Sequence, residues 1–165
     1  MRFAQIRDID IANGPGIRVS LYVQGCHRHC PGCFNEETWD FSGGKTYGQE
    51  EEDDLVRLIN RPHIAGLTVL GGEPMEKENR PDVLKLLKRV KQDCPNKNIW
   101  VYTSFLYEEV ENFEEPILDY VDVLVDGMFI EKLKDPRLHF RGSSNQRLID
   151  VPKTKEAGKI VLWEK

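Results

Sequence analysis

The stretch IRVSLYVQGCHRHCPGC, residues 17–33, joins an apolar run to a closely spaced group of cysteines. Residues 17–23 are rich in apolar and β-branched side chains, which predicts a strand. Cys26, Cys30 and Cys33 then fall within eight residues, on the loop that leaves this strand. In an α/β fold, ligands bind at the carboxyl ends of strands, so this loop is the first candidate for a site.

The spacing of these thiols predicts a metal centre. Thiolates are soft ligands that suit zinc and iron–sulfur clusters, and a [4Fe–4S] cluster normally takes four cysteines. The compact group supplies three, and the fourth cysteine, Cys94, lies sixty-one residues after Cys33, at the predicted end of a helix. If Cys94 does not join the others, one iron keeps an open coordination position, which distinguishes a reactive metal site from a sealed one.

Two histidines inside the same loop, His27 and His29, leave a Cys3His zinc site as the alternative. Zinc modules typically have a second group of metal ligands, and the sequence has neither a further cysteine pair nor a spaced histidine pair to supply it. Both histidines are therefore interpreted as solvated loop residues, and the iron–sulfur cluster is favoured.

Other motifs connect the cysteine group with a known superfamily. The C-x3-C-x2-C spacing and the GGEP of residues 71–74 resemble the motifs of radical S-adenosylmethionine enzymes. Residues 13–18, NGPGIR, are similar to the segment ahead of the cysteines in glycyl-radical activating enzymes. VLVDG at 123–127 and RGSSNQR at 141–147 resemble the activating components of anaerobic ribonucleoside-triphosphate reductase. The resemblance runs from about residue 3 to residue 151.

This resemblance implies a [4Fe–4S] cluster held by Cys26, Cys30 and Cys33, with its fourth iron chelating S-adenosylmethionine. The residues that it implies for binding the cofactor are Gly32, Cys33, Phe34, Gly71, Gly72, Glu73 and Pro74. The glycine pair would let backbone carbonyls accept hydrogen bonds from the methionyl ammonium, and Glu73 would add a negative partner. No catalytic side chain is expected beyond the cluster, because the cofactor carries the chemistry.

Two positions depart from the family pattern. Gly32 stands before the third cysteine, where many radical enzymes have an aromatic residue, and the aromatic Phe34 follows it. Which side chain stacks near the adenine is therefore open. Met128 stands where proline is expected after Asp126, so Asp126 is open between a turn cap, which is favoured, and a ligand contact. In the polar loop 141–147, the resemblance favours contacts from Arg141, Ser143 or Asn145 to S-adenosylmethionine or the partner.

By the same resemblance, we expect an enzyme that cleaves S-adenosylmethionine reductively and generates a glycyl radical on anaerobic ribonucleoside-triphosphate reductase. The expected partners are that reductase and a flavodoxin-like reductant, with a homodimer or a heterotetramer with the reductase as the assembly. One alternative is an activase of another glycyl-radical enzyme, of the pyruvate formate-lyase type. Another is a radical enzyme acting on a small molecule. Such an enzyme would need more substrate-binding segments than 165 residues supply.

The pattern of apolar residues predicts an α/β protein. Strands are predicted in the first eleven residues and at 17–23, 66–70, 99–103, 121–125, 148–151 and 159–163. One helix is predicted to begin after Thr46, with Thr46 as its N-cap and Gln49 at its third position. Further helices are predicted over 81–90 and over 106–120, the latter with a break near Pro116. Residues 153–159 are predicted as a basic connection. The strand count and the family favour one radical S-adenosylmethionine domain over residues 1–165, with a mostly parallel sheet in an open partial (β/α)6 barrel.

Composition sets the remaining bounds. The net charge of −5 argues against a nucleic-acid partner. No apolar run approaches the roughly 20 residues of a membrane span, and the first residues lack the apolar core of a signal peptide. We therefore expect a cytoplasmic protein without a membrane partner, whose four cysteines are not a disulfide scaffold.

Overall fold

The computed structural model describes residues 1–164, so that Lys165, the last residue of the predicted domain, lies outside the described residues. The strands are β1 Arg2–Asp10, β2 Arg18–Gln24, β3 Lys45–Thr46, β4 Gly66–Gly71, β5 Asn98–Tyr102, β6 Val123–Asp126 and β7 Arg147–Asp150. The α-helices are α1 Gln49–Ile59, α2 Arg80–Asp93, α3 Tyr107–Val110 and α4 Val151–Ala157. Short 3-10 helices span Glu36–Thr38, Ile117–Tyr120 and Glu131–Leu133. No helix among residues 1–164 is both long and apolar enough to cross a membrane.

All seven strands form one mixed sheet in the order β3-β1-β2-β4-β5-β6-β7. The central pairs β2–β4, β4–β5 and β5–β6 are parallel. The pairs at the two edges, β1–β2, β1–β3 and β6–β7, are antiparallel. The predicted α/β class is confirmed. The carboxyl ends of the parallel strands, where the cysteine loop begins, all lie at the same end of the sheet.

The two faces of the sheet have different chemistry because side chains alternate along each strand. One set of positions joins the main hydrophobic core with α1 and α2; on the strands it comprises Phe3, Val19, Leu21, Val23, Leu67, Val69, Ile99, Val101, Leu124 and Ile149. The intervening positions on β2, β4 and β5 include Tyr22, Thr68 and Tyr102 and face the other way. The helices therefore bury one face, and the opposite face is left to form a site.

A buried arginine fixes the turn before β2. Arg18 is fully buried, and its Nε donates to Thr68 Oγ1 at 2.7 Å. Its Nη2 donates to Leu67 O at 2.9 Å, and the Thr68 hydroxyl donates in turn to Asn13 O at 2.8 Å. Burial lowers the pKa of the Arg18 guanidinium to about 10, so it stays charged at neutral pH. These bonds hold the loop around Asn13 against the middle of the sheet.

The predicted start of the first helix is wrong. Thr46 belongs to β3 and pairs with Arg2, and α1 begins three residues after it, at Gln49. The N-cap is Gly48, whose N–H donates to Glu51 Oε1 at 2.9 Å. The capping box is therefore shifted along the chain, because pairing with β1 keeps Thr46 extended.

Three further predictions in the second half of the chain need correction. The helix predicted over 106–120 is only the single turn α3 and a separate 3-10 turn, since Pro116 supplies no N–H to continue a helix. Most of the predicted basic connection, residues 153–159, is helical in α4, which Asp150 caps by accepting from Lys153 N at 3.0 Å. The predicted strand at 159–163 is reduced to one antiparallel bridge between Ile149 and Leu162.

The network around Arg18 makes a stability prediction. Thr68→Val keeps the volume of the side chain but leaves Arg18 Nε and Asn13 O without their partner. We expect a loss of about 1–3 kcal/mol in the free energy of unfolding, measured by urea denaturation. Thr46→Val, which removes an exposed hydroxyl, is the control and should change stability by less than about 0.5 kcal/mol. Equal effects of the two substitutions would refute the role of the buried network.

Candidate metal centre

A cavity of about 520 Å³ opens on the sheet face that the helices leave free. Its wall includes seven of the predicted site residues, namely Cys26, Cys30, Cys33, Phe34, Gly71, Gly72 and Glu73. Gly32 and Pro74, the other two, lie beside wall residues along the chain. The structure therefore brings together the cysteine loop after β2 and the glycine loop after β4, which are about forty residues apart in sequence.

The start of the cysteine loop is held by backbone hydrogen bonds to residues 38 and 39, which follow it in the chain. Gly25 N donates to Thr38 O at 2.6 Å, and Cys26 N donates to Trp39 O at 3.1 Å. Within the loop, Cys33 N donates to Cys30 O at 3.1 Å, which closes the turn between the second and third cysteines. The thiols therefore stand on a backbone that is bonded to itself and to the chain that follows.

The three thiols are free and have environments suited to a bound metal. Burial raises the pKa of the Cys26 and Cys30 thiols, so a metal must displace their protons to bind. Backbone N–H groups of Arg28 and His29 oppose that rise at Cys26, as the N–H of Phe129 does at Cys30. Asn35 N donates to Cys33 Sγ at 3.4 Å. Such donors stabilise thiolates bound to an iron–sulfur cluster, so this donor set fits one.

The glycine loop makes direct contact with the cysteine loop. Gly72 N donates to Val23 O at 2.9 Å, and Glu73 N donates to Gly25 O at 2.7 Å. Gly71 has φ +111°, a backbone conformation that side chains disfavour. A Cβ on Gly72 would lie 2.5 Å from Gly25 O, so the contact requires glycine there. The GG pair is thus explained by the approach of two backbones.

Glu73 joins the glycine loop to the end of β5. Its side chain is almost fully buried, and Oε2 accepts from Met75 N at 2.9 Å and from Thr103 Oγ1 at 2.6 Å. Oε1 accepts from the backbone N and from the hydroxyl of Ser104, both at 2.6 Å. Burial raises the pKa of the Glu73 carboxyl, and these four bonds oppose the rise. The carboxylate therefore positions both strand ends, and its contact with a methionyl ammonium stays a prediction.

Phe34 stands at the mouth of the cavity and is 60% exposed. Its ring lies 5.1 Å from that of Phe129, and Lys134 Nζ is 5.1 Å from its centroid. Sequence reasoning did not place residues 129–140 in the wall, although Phe129, Lys134 and Phe140 are part of it. Tyr22 and Tyr102 were also missed. The alternation along β2 and β5 was the available signal for the two tyrosines.

The polar residues that the resemblance left open have structural partners. Asp126 is fully buried, accepts from Tyr107 N at 2.7 Å and pairs with Arg147, so its carboxylate joins α3 and β7 and does not cap its own turn as was favoured. Asn145 Nδ2 donates to Met128 O at 2.8 Å, and Ser143 Oγ accepts from Ile130 N at 3.2 Å. In the loop 141–147, the cavity wall takes Arg141, Gly142 and Gln146.

The fourth cysteine and the two histidines lie apart from the thiol group. Cys94 follows α2, is 1% exposed and packs in the main core, away from the cavity wall. The His29 ring stacks on Trp39 with centroids 4.4 Å apart. The His27 ring packs on Phe41 and turns its Nε2 towards Glu78 at 2.7 Å. These placements support three cysteine ligands and give no support to the Cys3His zinc alternative.

Comparison with known proteins identifies the family. The family model described as "4Fe-4S single cluster domain" matches residues 12–149. The anaerobic ribonucleoside-triphosphate reductase-activating protein of Salmonella typhimurium is 43% identical over 148 residues, which cover 88% of this chain and 96% of that protein. The chain belongs to the family of anaerobic ribonucleoside-triphosphate reductase-activating proteins.

Other members of this family of activating proteins are similarly close. The protein from Escherichia coli K12 is 42% identical over 148 residues, covering 88% of this chain and 96% of that protein. The protein of the same name from Enterobacteria phage T4 is 38% identical over 148 residues, covering 90% of this chain and 93% of its own. The predicted iron–sulfur cluster agrees with the single-cluster family model, and the three free thiols that face one cavity suit it.

The bonds of Glu73 predict the effect of its neutral isostere. In Glu73→Gln, either orientation of the amide points its NH2 group at a backbone N–H donor, that of Met75 or that of Ser104. One buried donor then loses its partner, which should cost about 1–3 kcal/mol in thermal unfolding experiments. Glu156→Gln removes the same charge from an exposed position on α4 and should leave stability nearly unchanged. If the two variants melt alike, Glu73 does not join the two loops as described.

Proposed function

We propose that this chain activates an anaerobic ribonucleoside-triphosphate reductase by generating a glycyl radical on it. The observation that carries the proposal is the meeting of three free cysteines with the Gly71–Glu73 loop in one cavity, in a chain of this family. When bound, a [4Fe–4S] cluster and S-adenosylmethionine supply an electron and a 5′-deoxyadenosyl radical, which removes hydrogen from a glycine of the reductase.

In this proposal, Cys26, Cys30 and Cys33 hold three irons and leave the fourth for S-adenosylmethionine. Cys94 has no part, which its burial in the main core supports. Gly71 and Gly72 present backbone carbonyls to the methionyl end, and Glu73 holds that loop in place through Thr103 and Ser104. Gly32, Phe34 and Pro74 complete the cofactor site, with Phe34 the aromatic nearest the mouth.

The chain also has to exclude water from the reacting atoms. Leu70, Val125, Phe129 and Phe140 contribute apolar surface to the cavity wall. Such a wall lowers the local dielectric and limits side reactions of a reactive species. No titrating side chain is assigned an acid or base role, because a hydrogen atom is transferred rather than a proton.

The proposal extends to the fold and the partners. We infer a single radical S-adenosylmethionine domain with an open partial (β/α)6 barrel, which the four central parallel strands and their helices on one face support. A flavodoxin-like protein would supply the electron. The chain would form a homodimer or a heterotetramer with the reductase, whose glycine loop would enter the open side of the cavity.

The decisive experiment is anaerobic incubation of the chain with reductase, S-adenosylmethionine and reductant, read by electron paramagnetic resonance for a glycine-centred doublet. Alanine at Cys26, Cys30 or Cys33 should abolish the cluster, cleavage of S-adenosylmethionine and the doublet. Cys94→Ala, the matched control, should keep all three because Cys94 packs in the core. Loss of the cluster in the Cys94 variant alone would contradict the three-ligand assignment, and no doublet with the native chain would contradict the function.

An apolar lip beside the cavity suggests where the reductase docks. Met128, Ile130 and Leu133 each expose more than a third of their surface, next to the wall residues Phe129 and Lys134. Exposed apolar side chains grouped in this way are typical of protein interaction sites. A glycine loop entering the cavity would have to pass this lip.

The lip makes a prediction about affinity. Replacing Ile130 and Leu133 together by serine should raise the reductase concentration needed for half-maximal radical formation by about tenfold, since apolar anchors are lost. Leu162→Ser changes a leucine with 56% exposure outside the cavity wall and should leave that concentration unchanged. Identical titration curves for all three proteins would place the docking surface elsewhere.

A further inference from the structure

A second cluster of metal-ligating side chains lies outside the cavity wall. His27 Nε2 is 2.7 Å from Glu78 Oε2 and 3.4 Å from Glu76 Oε2. One ligand atom from each of these three residues lies within 4.8 Å of the other two. His27 comes from the cysteine loop, and both glutamates follow the glycine loop.

Glu76 is the unusual member of this cluster. Its side chain is only 8% exposed, and its carboxylate accepts no hydrogen bond from residues 1–164. Its one close partner is the His27 ring. The charged groups that act on it are His27 and Arg28, which favour its anionic form, and the anionic Glu73 and Glu78, which disfavour it. A buried carboxylate without donors is costly unless a cation compensates it, and two further carboxylates nearby increase that cost.

The spacing of the three ligand atoms suits a metal ion. Two ligand atoms about 2.1 Å from one ion, at angles between octahedral and tetrahedral, lie about 3.0–3.4 Å apart. The two separations from His27, 2.7 and 3.4 Å, lie close to that range, and the Glu76 and Glu78 ligand atoms lie within 4.8 Å of each other, so rotation of the exposed Glu78 side chain would complete the site. His27 and Glu78 are 61% and 49% exposed, which leaves the remaining coordination positions open to solvent.

We propose that His27, Glu76 and Glu78 bind one divalent transition-metal cation, separate from the iron–sulfur cluster. One imidazole and two carboxylates select borderline to hard ions such as Mn²⁺, Fe²⁺ or Zn²⁺, in contrast to the all-thiol set of the cavity. The ion tethers the cysteine loop to the segment after Gly71–Glu73. Asn79, which follows that segment, already bridges the same two parts of the chain by donating to Glu73 O and Gln24 O.

The test uses Mn²⁺ as the probe, because it favours oxygen and nitrogen ligands over the cysteine thiolates. The full chain, reconstituted with its cluster and treated with chelator, is titrated anaerobically while the signal of free Mn²⁺ is followed by electron paramagnetic resonance. We expect saturable binding of one ion per chain. Glu76→Gln and Glu78→Gln should each weaken binding by at least about tenfold.

Glu50→Gln is the matched control, since it removes one exposed carboxylate in the first turn of α1 and should bind Mn²⁺ like the native chain. Visible absorption of the cluster shows whether each variant is folded, and the exposed Glu78 keeps the test valid if Glu76→Gln is unstable. Absence of saturable binding to the native chain would overturn the proposal and leave a simple His27–glutamate ion pair. Equal binding by all variants would overturn it as well, by showing that the ion sits elsewhere.

Discussion

The candidate site depends on the contact between two backbone loops. Gly72 N and Glu73 N donate to Val23 O and Gly25 O, so the end of β4 lies directly against the start of the cysteine loop. A side chain on Gly72 would separate them, because its Cβ would fall 2.5 Å from Gly25 O. Parallel pairing of β2 with β4 makes this contact possible, because it brings the carboxyl ends of both strands to the same end of the sheet. The thiols and the glycine loop then face one cavity.

Buried polar groups keep this arrangement rigid. The Glu73 carboxylate ties β4 to β5 with four hydrogen bonds, and Arg18 ties the turn before β2 to β4. Both charges are buried, so their stability depends on complete hydrogen bonding rather than on hydration. The Glu76 carboxylate lacks such bonds, and its one close partner is the His27 ring.

Local sequence patterns predicted much of the fold. The apolar spacing of α2 and the runs of β2, β4, β5 and β6 were sufficient because each is long or continuous enough for one period to dominate. The cap of α1 was misplaced since β3, a two-residue strand, depends on pairing with β1. The signals for α4 were present: Asp150 as N-cap, Pro152 in the first turn, and Gly158 with φ +69° at its end. The charged composition of residues 153–159 favoured a connection and outweighed these helix signals.

The chemistry can be stated from the order of the residues alone: three closely spaced thiols after a strand, a glycine pair after another strand, and a motif set typical of one family. These are local features, and spacing along the chain is enough to state them. Which distant groups meet is known only from the folded chain. In the folded chain, Cys94 is buried in the core, the Glu73 carboxylate accepts hydrogen bonds from Thr103 and Ser104, and His27 lies beside Glu76. Such contacts depend on how strands pair and helices pack, which no local pattern specifies.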